Sequence, residues 1–209
     1  MVFTVIQVLS LRFIDPPFTT MMVINWAFDG NDIKHNRLRN TWRPLKGISH
    51  DLRKAVLAGE DQRFLSHHGF DFTEINQAVK GMVMEGNFRG ASTITMQVAR
   101  TVFLWPRRSF LRKSVEAYYS VLIELLWSKE RILEVYLNTV DWGTGIFGAE
   151  AASRAYYRVS CSRVSAFQAA SLAAILPNPH RWSPTRPTAY IAKRQRQILR
   201  DMRKMPLLK

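Results

Sequence analysis

Apolar positions along this chain recur at helical rather than strand spacing. Between Asp51 and Asp61 (DLRKAVLAGED), Leu52, Val56 and Leu57 fall on one side of a helix. Phe72 to Met84 carries Ile75, Val79 and Met82 in the same way, and Gly86 with Gly90 interrupts the pattern before a fresh start at Ser92. The most regular segment is Arg112 to Trp127, whose stripe is Val115, Tyr119, Leu122 and Leu126. Ser128 is placed to cap a further helix through Asn138, with Ile132, Leu133 and Tyr136 turned inward. Alanine-rich helical stretches follow at Ala149 to Tyr157 and Ser165 to Leu176, the second ended by Pro177 and Pro179, and a basic helix covers Ala189 to Met202. Strand signals are weak and no internal repeat is present. The pattern predicts a mostly α, single-domain fold.

Composition supports a packed core and changes the picture only through charge. A hydrophobic fraction of 47% in 209 residues excludes a disordered chain. The formal net charge of +14 exceeds what solubility asks for, and it points to an anionic partner: nucleic acid, lipid head groups or a diphosphate. Cys161 stands alone, so an internal disulfide and a cysteine zinc site are both excluded. Residues Met1 to Leu11 are apolar but stop at Arg12, short of the roughly 20 residues a spanning helix needs. They read either as part of a membrane anchor or as a buried N-terminal segment. The expected division is a partial anchor and connector over 1–26 and one domain over 27–209.

Two motifs are tested and set aside. Gly143-Thr144-Gly145-Ile146-Phe147-Gly148 spells the dinucleotide fingerprint, but that fingerprint needs a preceding strand and an acidic residue about 20 positions on. Here a helical segment precedes it, and no Asp or Glu occurs between Glu150 and Asp201. The glycines instead suit a tight turn into the helix at Ala149. No serine stands three residues before a lysine, which removes the acyl-transfer nucleophile of penicillin-binding domains. The five histidines show no metal-binding spacing.

Three segments carry candidate chemistry. Glu60, beside Asp61 at the end of an apolar helix and ahead of Phe64 and His67, is either a general base with a raised pKa or a solvated helix-end charge. Gly90 to Gln97 gives a flexible approach and then hydroxyls at a helix N-terminus, where Ser92 or Thr93 either caps the helix or helps bind phosphate. Arg100, Arg107, Arg108, Arg112 and Lys113 follow closely, and guanidinium forks match phosphate oxygens. Glu116 lies one turn after Arg112 and Lys113 at the edge of the apolar stripe, in reach of a helix ion pair.

Taken in order, these segments resemble the five motifs of the family 51 glycosyltransferases, the peptidoglycan polymerases. The match comprises E-D-x-x-F-x-x-H-x-G-x-D at Glu60 to Asp71, G-x-S-T-I-T-x-Q at Gly90 to Gln97, and R-K-x-x-E at Arg112 to Glu116. It continues with K-E-x-I-L-E-x-Y-L-N at Lys129 to Asn138 and a glycine-led alanine block at Gly148 to Ala152. Lacking a transpeptidase serine, the chain is most similar to the monofunctional members. The resemblance implies a lysozyme-like fold with a head lobe and a smaller membrane-facing jaw. It implies lipid II and the growing glycan strand as substrates, membrane lipids as partners, and a place on the outer, periplasmic face of the bacterial inner membrane. By resemblance Glu60 is the base that activates the acceptor hydroxyl, and Glu116 helps hold the diphosphate. Asp61, Phe64, His67, Gly90, Ser92, Gln97, Arg100, Arg108 and Lys113 match substrate-binding positions. No cofactor is required by the resemblance, apart from a divalent cation such as Mg2+ that some members place at the diphosphate. Met96 and Arg100-Thr101 depart from the residues many members carry there, Gln and Lys-Asn.

The rival readings are a lysozyme-like enzyme that cuts glycan, which leaves the arginine cluster without a purpose, and a non-enzymatic basic protein on a membrane or nucleic acid. No zinc-finger, RNA-recognition or basic-zipper pattern is present, so nucleic acid is not an expected partner.

Overall fold

The computed structural model describes residues 2–20, 22–23, 41–86, 90–107 and 109–208. The expected boundary between 26 and 27, and the candidate Arg108, lie outside them. The described residues form α-helices joined by short turns, with no strand among them. The sole strand-like pairing among the described residues is an isolated bridge between Asp141 and Phe147.

Most helices begin where a side chain can satisfy an orphan N–H group. Ser49 caps α2 (His50–Glu60), Asp71 caps α3 (Phe72–Glu85) and Thr93 caps α4 (Ile94–Phe103). Ser109 caps α5 (Phe110–Leu126) and Ser128 caps α6 (Lys129–Thr139), the latter as the sequence predicts. α7 (Ala149–Tyr157) has no such cap and is entered from Gly148, whose φ of +81° is glycine territory. A reciprocal Ser165–Gln168 capping box opens α8 (Ala166–Ile175), and Thr188 opens α9 (Ala189–Asp201). Each side-chain cap contributes about 1 kcal/mol.

Two groups of helices build the body. α8 is apolar on nearly every side, and seven consecutive residues, Ala169 to Ile175, are buried because α2 and α9 enclose it. Gly59 lets α2 come close: a Cβ there would meet Ile198 Cδ1 at 3.2 Å and Ala173 Cβ at 3.6 Å. The second group packs α4 against α5 and α6. The face that α5 turns inward is displaced from the predicted stripe. Arg112, Glu116, Tyr119, Ser120 and Ile123 are buried, whereas Val115, Leu122 and Leu126 only flank the core. Glu116, expected at the stripe's edge, is therefore central to it and fully enclosed.

Two helices keep apolar surface outside the core. α1 (Val2–Leu11) docks on α5 through Thr4–Tyr118 and Gln7–Tyr119 hydrogen bonds, and Trp127 Nε1 donates to Val8 O at 2.8 Å. Val8 is buried in that contact, while Val2, Phe3 and Ile6 face outward. α3 buries none of its described side chains, and Phe72, Val79, Met82, Val83 and Met84 are exposed. Core packing is thus excluded for Met82, Val83 and Met84. No helix among the described residues is long and apolar enough to cross a membrane.

Candidate active site

The last residue of α2 is Glu60, and it sits where the two helix groups meet. Its side chain is 11% exposed. From α4, Gln97 Nε2 donates to Glu60 Oε2 at 3.0 Å, and the Gln97 carbonyl accepts from the buried Tyr136 hydroxyl of α6 at 3.3 Å. From α9, Arg194 Nη2 bridges Glu60 Oε1 at 3.3 Å and Gly59 O at 2.9 Å. Four helices thus converge on one carboxylate. Burial pushes the Glu60 pKa above the usual carboxylate range; the Gln97 hydrogen bond and the charges of Arg194 and Arg100 pull against it, and the Asp61 charge adds to it. The solvated helix-end reading of Glu60 does not describe this environment.

Asp61 and His67, matched by resemblance to substrate-binding positions, hydrogen-bond to each other. His67 Nε2 lies 2.9 Å from Asp61 Oδ1, and both are buried. Asp61 Oδ2 also accepts the Ile94 N–H of α4 at 2.9 Å. Phe64 is buried beneath the same loop, with the Lys129 ammonium 4.5 Å above its ring centroid. Lys129 donates to His67 O and pairs with Glu124, and Thr93 Oγ1 donates to Gly69 O at 2.6 Å. The segment from Asp61 to Asp71 is therefore a braced loop in which Asp61, His67 and Asp71 are buried while Gln62, Arg63, Ser66 and His68 stay exposed.

The α4 N-terminus is less open to an outside anion than the sequence suggests. Its Ile94 N–H is taken by Asp61, Met96 N–H by Thr93 Oγ1 and Gln97 N–H by Thr93 O. Thr93, not Ser92, is the cap; Ser92 is half-buried and Gly90 exposed in the approach. A Cβ on Gly90 would meet nothing within 4 Å, so packing does not demand glycine there.

On α5, Arg112 Nη1 lies 2.6 Å from Glu116 Oε2 and Lys113 Nζ lies 2.5 Å from Glu116 Oε1. Glu116 and Arg112 are buried, whereas the Lys113 side chain is 45% exposed. The cluster carries net positive charge with only Lys113 reaching far into solvent. With both Glu116 oxygens bonded to cations, the carboxylate does not suit a metal ligand, and no group of three metal-binding side chains occurs among the described residues. As bonded here, Glu116 offers a divalent cation no free carboxylate oxygen.

The sequence reading singles out Glu60, Gln97 and Arg100, which the structure brings together, but misses Arg194 and Tyr136 as neighbours of the carboxylate. Tyr136 is legible only as an inward position of α6. Arg194 is one of several cations on a basic helix, and only packing tells which of them reaches Glu60.

The profile of the transglycosylase family matches residues 29–203. A biosynthetic peptidoglycan transglycosylase of Pseudomonas putida (strain W619) is 50% identical over 203 residues, covering 95% of this chain and 84% of the relative. Proteins of the same name in Pseudomonas entomophila (strain L48) and Pseudomonas syringae pv. syringae (strain B728a) are 52% identical over 198 residues and 48% identical over 205. They cover 93% and 97% of this chain, and 83% and 86% of the relatives. A helical body that closes on the glutamate opening the first motif, and a match along almost the whole chain, lead to the same assignment: this protein belongs to the transglycosylase family.

Proposed function

We propose that this chain is a peptidoglycan glycosyltransferase, which polymerises lipid II into glycan strands with release of a polyprenyl diphosphate, and that Glu60 is its general base. The observation that carries the assignment is the environment of Glu60: nearly enclosed, raised in pKa by burial and held in orientation by Gln97 and Arg194. A sugar hydroxyl is too weak an acid to attack unaided, so a base fixed at the acceptor is the central requirement. Glu60 takes the acceptor proton as the oxygen attacks the anomeric carbon of the donor from the face opposite the departing diphosphate. One glycosidic bond forms, one bond to phosphate oxygen breaks, and the configuration inverts.

The leaving diphosphate develops charge that fixed cations can stabilise. Lys113 is the exposed contributor and Arg100 stands close enough to act on the Glu60 charge. Glu116 works through its neighbours: buried and bonded to both Arg112 and Lys113, it is a positioning residue that sets where those cations point. Gly90 and Ser92 belong to the approach that the substrate would pass. A membrane-bound lipid substrate also needs an enzyme seated on the bilayer surface, and the exposed apolar faces of α1 and α3, with a net charge of +14, suit an anionic membrane on the outer side of the cytoplasmic membrane. The glycan-cutting alternative is disfavoured because Asp61, the adjacent acid, is committed to His67 and Ile94 rather than facing Glu60 as a partner. The deciding experiment incubates purified protein with labelled lipid II. Polymer supports the assignment; soluble fragments from purified cell wall, with no polymer from lipid II, would overturn it.

A further inference from the structure

An open groove of about 450 Å³ is lined by Arg181, Trp182, Thr188 and Tyr190, none of which the sequence motifs single out. Its wall is aromatic: the Trp182 and Tyr190 ring centroids are 5.5 Å apart at an interplanar angle of 44°. Trp182 is half-buried and packs against the core, so one ring is fixed, while Tyr190 is 59% exposed. Two rings of which one is immobile form a surface that suits the flat apolar face of a pyranose, and they give up little conformational freedom on binding. Thr188 and Arg181 place a hydroxyl and a guanidinium at the same groove, as a sugar's hydroxyl and acetamido groups require.

The groove and the candidate active site share helix α9, which carries Tyr190 at the one and Arg194 at the other. Tyr190 and Arg194 are one turn apart on α9 and therefore neighbours on one face. Helical side chains slope toward the N-terminus of their helix, so Arg194 reaches Glu60 beside the first turn of α9, the turn that carries Tyr190. We infer that Trp182 and Tyr190 form a binding subsite for an N-acetylhexosamine ring of the acceptor, next to the carboxylate that activates its hydroxyl. The inference rests on the glycosyltransferase reading of Glu60, and it adds a contact that recognises sugar alone, independent of diphosphate and lipid.

The test uses the full chain and a soluble β-1,4-linked N-acetylglucosamine tetramer, which has neither diphosphate nor lipid, followed by tryptophan fluorescence and calorimetry. Wild-type protein is expected to bind it weakly, and Tyr190→Ala to weaken binding by roughly three- to ten-fold, the size of an aromatic contact. Trp182→Phe, which keeps a ring, is expected to retain part of the calorimetric affinity. Phe167→Ala removes an exposed aromatic on α8 and is expected to bind as wild type. With lipid II, Tyr190→Ala is expected to raise KM more than it lowers kcat. Unchanged tetramer affinity in both groove variants, or no binding by wild type at millimolar tetramer, would overturn the subsite. If wild type polymerises lipid II in that case, the glycosyltransferase reading stands and only the subsite fails; if it does not polymerise, the reading of Glu60 fails separately.

Discussion

Arg194 and Glu60, separated by 134 positions in the sequence, meet at 3.3 Å, with the same guanidinium nitrogen bonded to the carbonyl of Gly59. The arginine is thus fixed to the backbone of the helix whose carboxylate it faces. It opposes the rise that burial imposes on Glu60, whose pKa still stands above the usual carboxylate range.

Glu60→Gln is expected to fold and bind lipid II as wild type while losing polymerisation by about 10²–10⁴-fold, the usual worth of a general base. Single-turnover polymerisation with labelled lipid II, alongside circular dichroism, measures both. Near wild-type turnover would remove Glu60 from the mechanism.

The acid limb of the pH–rate profile reports Glu60, whose ionised form is the active one. Activity therefore falls as pH drops through its raised pKa. Arg194 and Gln97 both hold that pKa down, so Arg194→Ala and Gln97→Leu are expected to move the limb to higher pH, with Arg194→Lys in between. A limb that stays in place in all three variants would show that it belongs to another group.

Lys113→Ala and Glu116→Gln separate contact from positioning. Lys113 is half in solvent, so its loss is expected to weaken lipid II binding with little change in Tm. Glu116 is enclosed between two cations; its neutralisation leaves a buried guanidinium short of a counter-charge and is expected to cost about 3–5 kcal/mol of stability. Urea unfolding of the two variants checks the contrast, and equal stability losses would contradict it.

Glu150 supplies a stability test away from the site. Burial alone would raise its pKa, but hydrogen bonds from the Cys161 N–H, Arg154 and Ser160 outweigh it and bring it down to about 2. A depressed carboxylate stabilises the fold above its unfolded pKa near 4.5 and loses that contribution as pH falls toward 2. The difference in unfolding free energy between wild type and Glu150→Gln is expected to reach about 3 kcal/mol at pH 7 and to shrink below pH 4. A pH-independent difference would exclude the linkage.

The apolar surface of α3 gives the membrane test. Val83→Asp with Met84→Asp is expected to reduce partitioning to anionic vesicles without lowering Tm, because both side chains are exposed. Added salt is expected to weaken only the electrostatic share. Unchanged partitioning would place the membrane contact elsewhere.

Helix positions were legible in the sequence because capping residues and apolar spacing agree locally, as at Ser128 and at Ala149 to Tyr157. Glu60, Gln97 and Arg100 were legible through motif resemblance. What local pattern could not give was the direction of each side chain. Asp61 and His67 were matched to substrate-binding positions by resemblance, and nothing local shows that a donor 33 positions away, the Ile94 N–H, draws Asp61 inward. Arg194 was invisible for the complementary reason: its partner lies in another helix, and nothing nearby on α9 distinguishes it from Lys193 or Arg196.

The helix that ends in Glu60 is enclosed mainly by segments far downstream of it in the sequence. α8 and α9 cover it, and the buried Arg53 of α2 donates to the carbonyl of Leu208 at 2.6 Å. During synthesis Glu60 emerges well before Arg194 and the segment around Leu208 that closes over its helix. Until those arrive, the apolar residues of α2 that pack on α8 and α9 are uncovered and Glu60 lacks its arginine. A nascent polypeptide arrested before α9 would thus carry the residues of all five motifs without the arginine that faces Glu60.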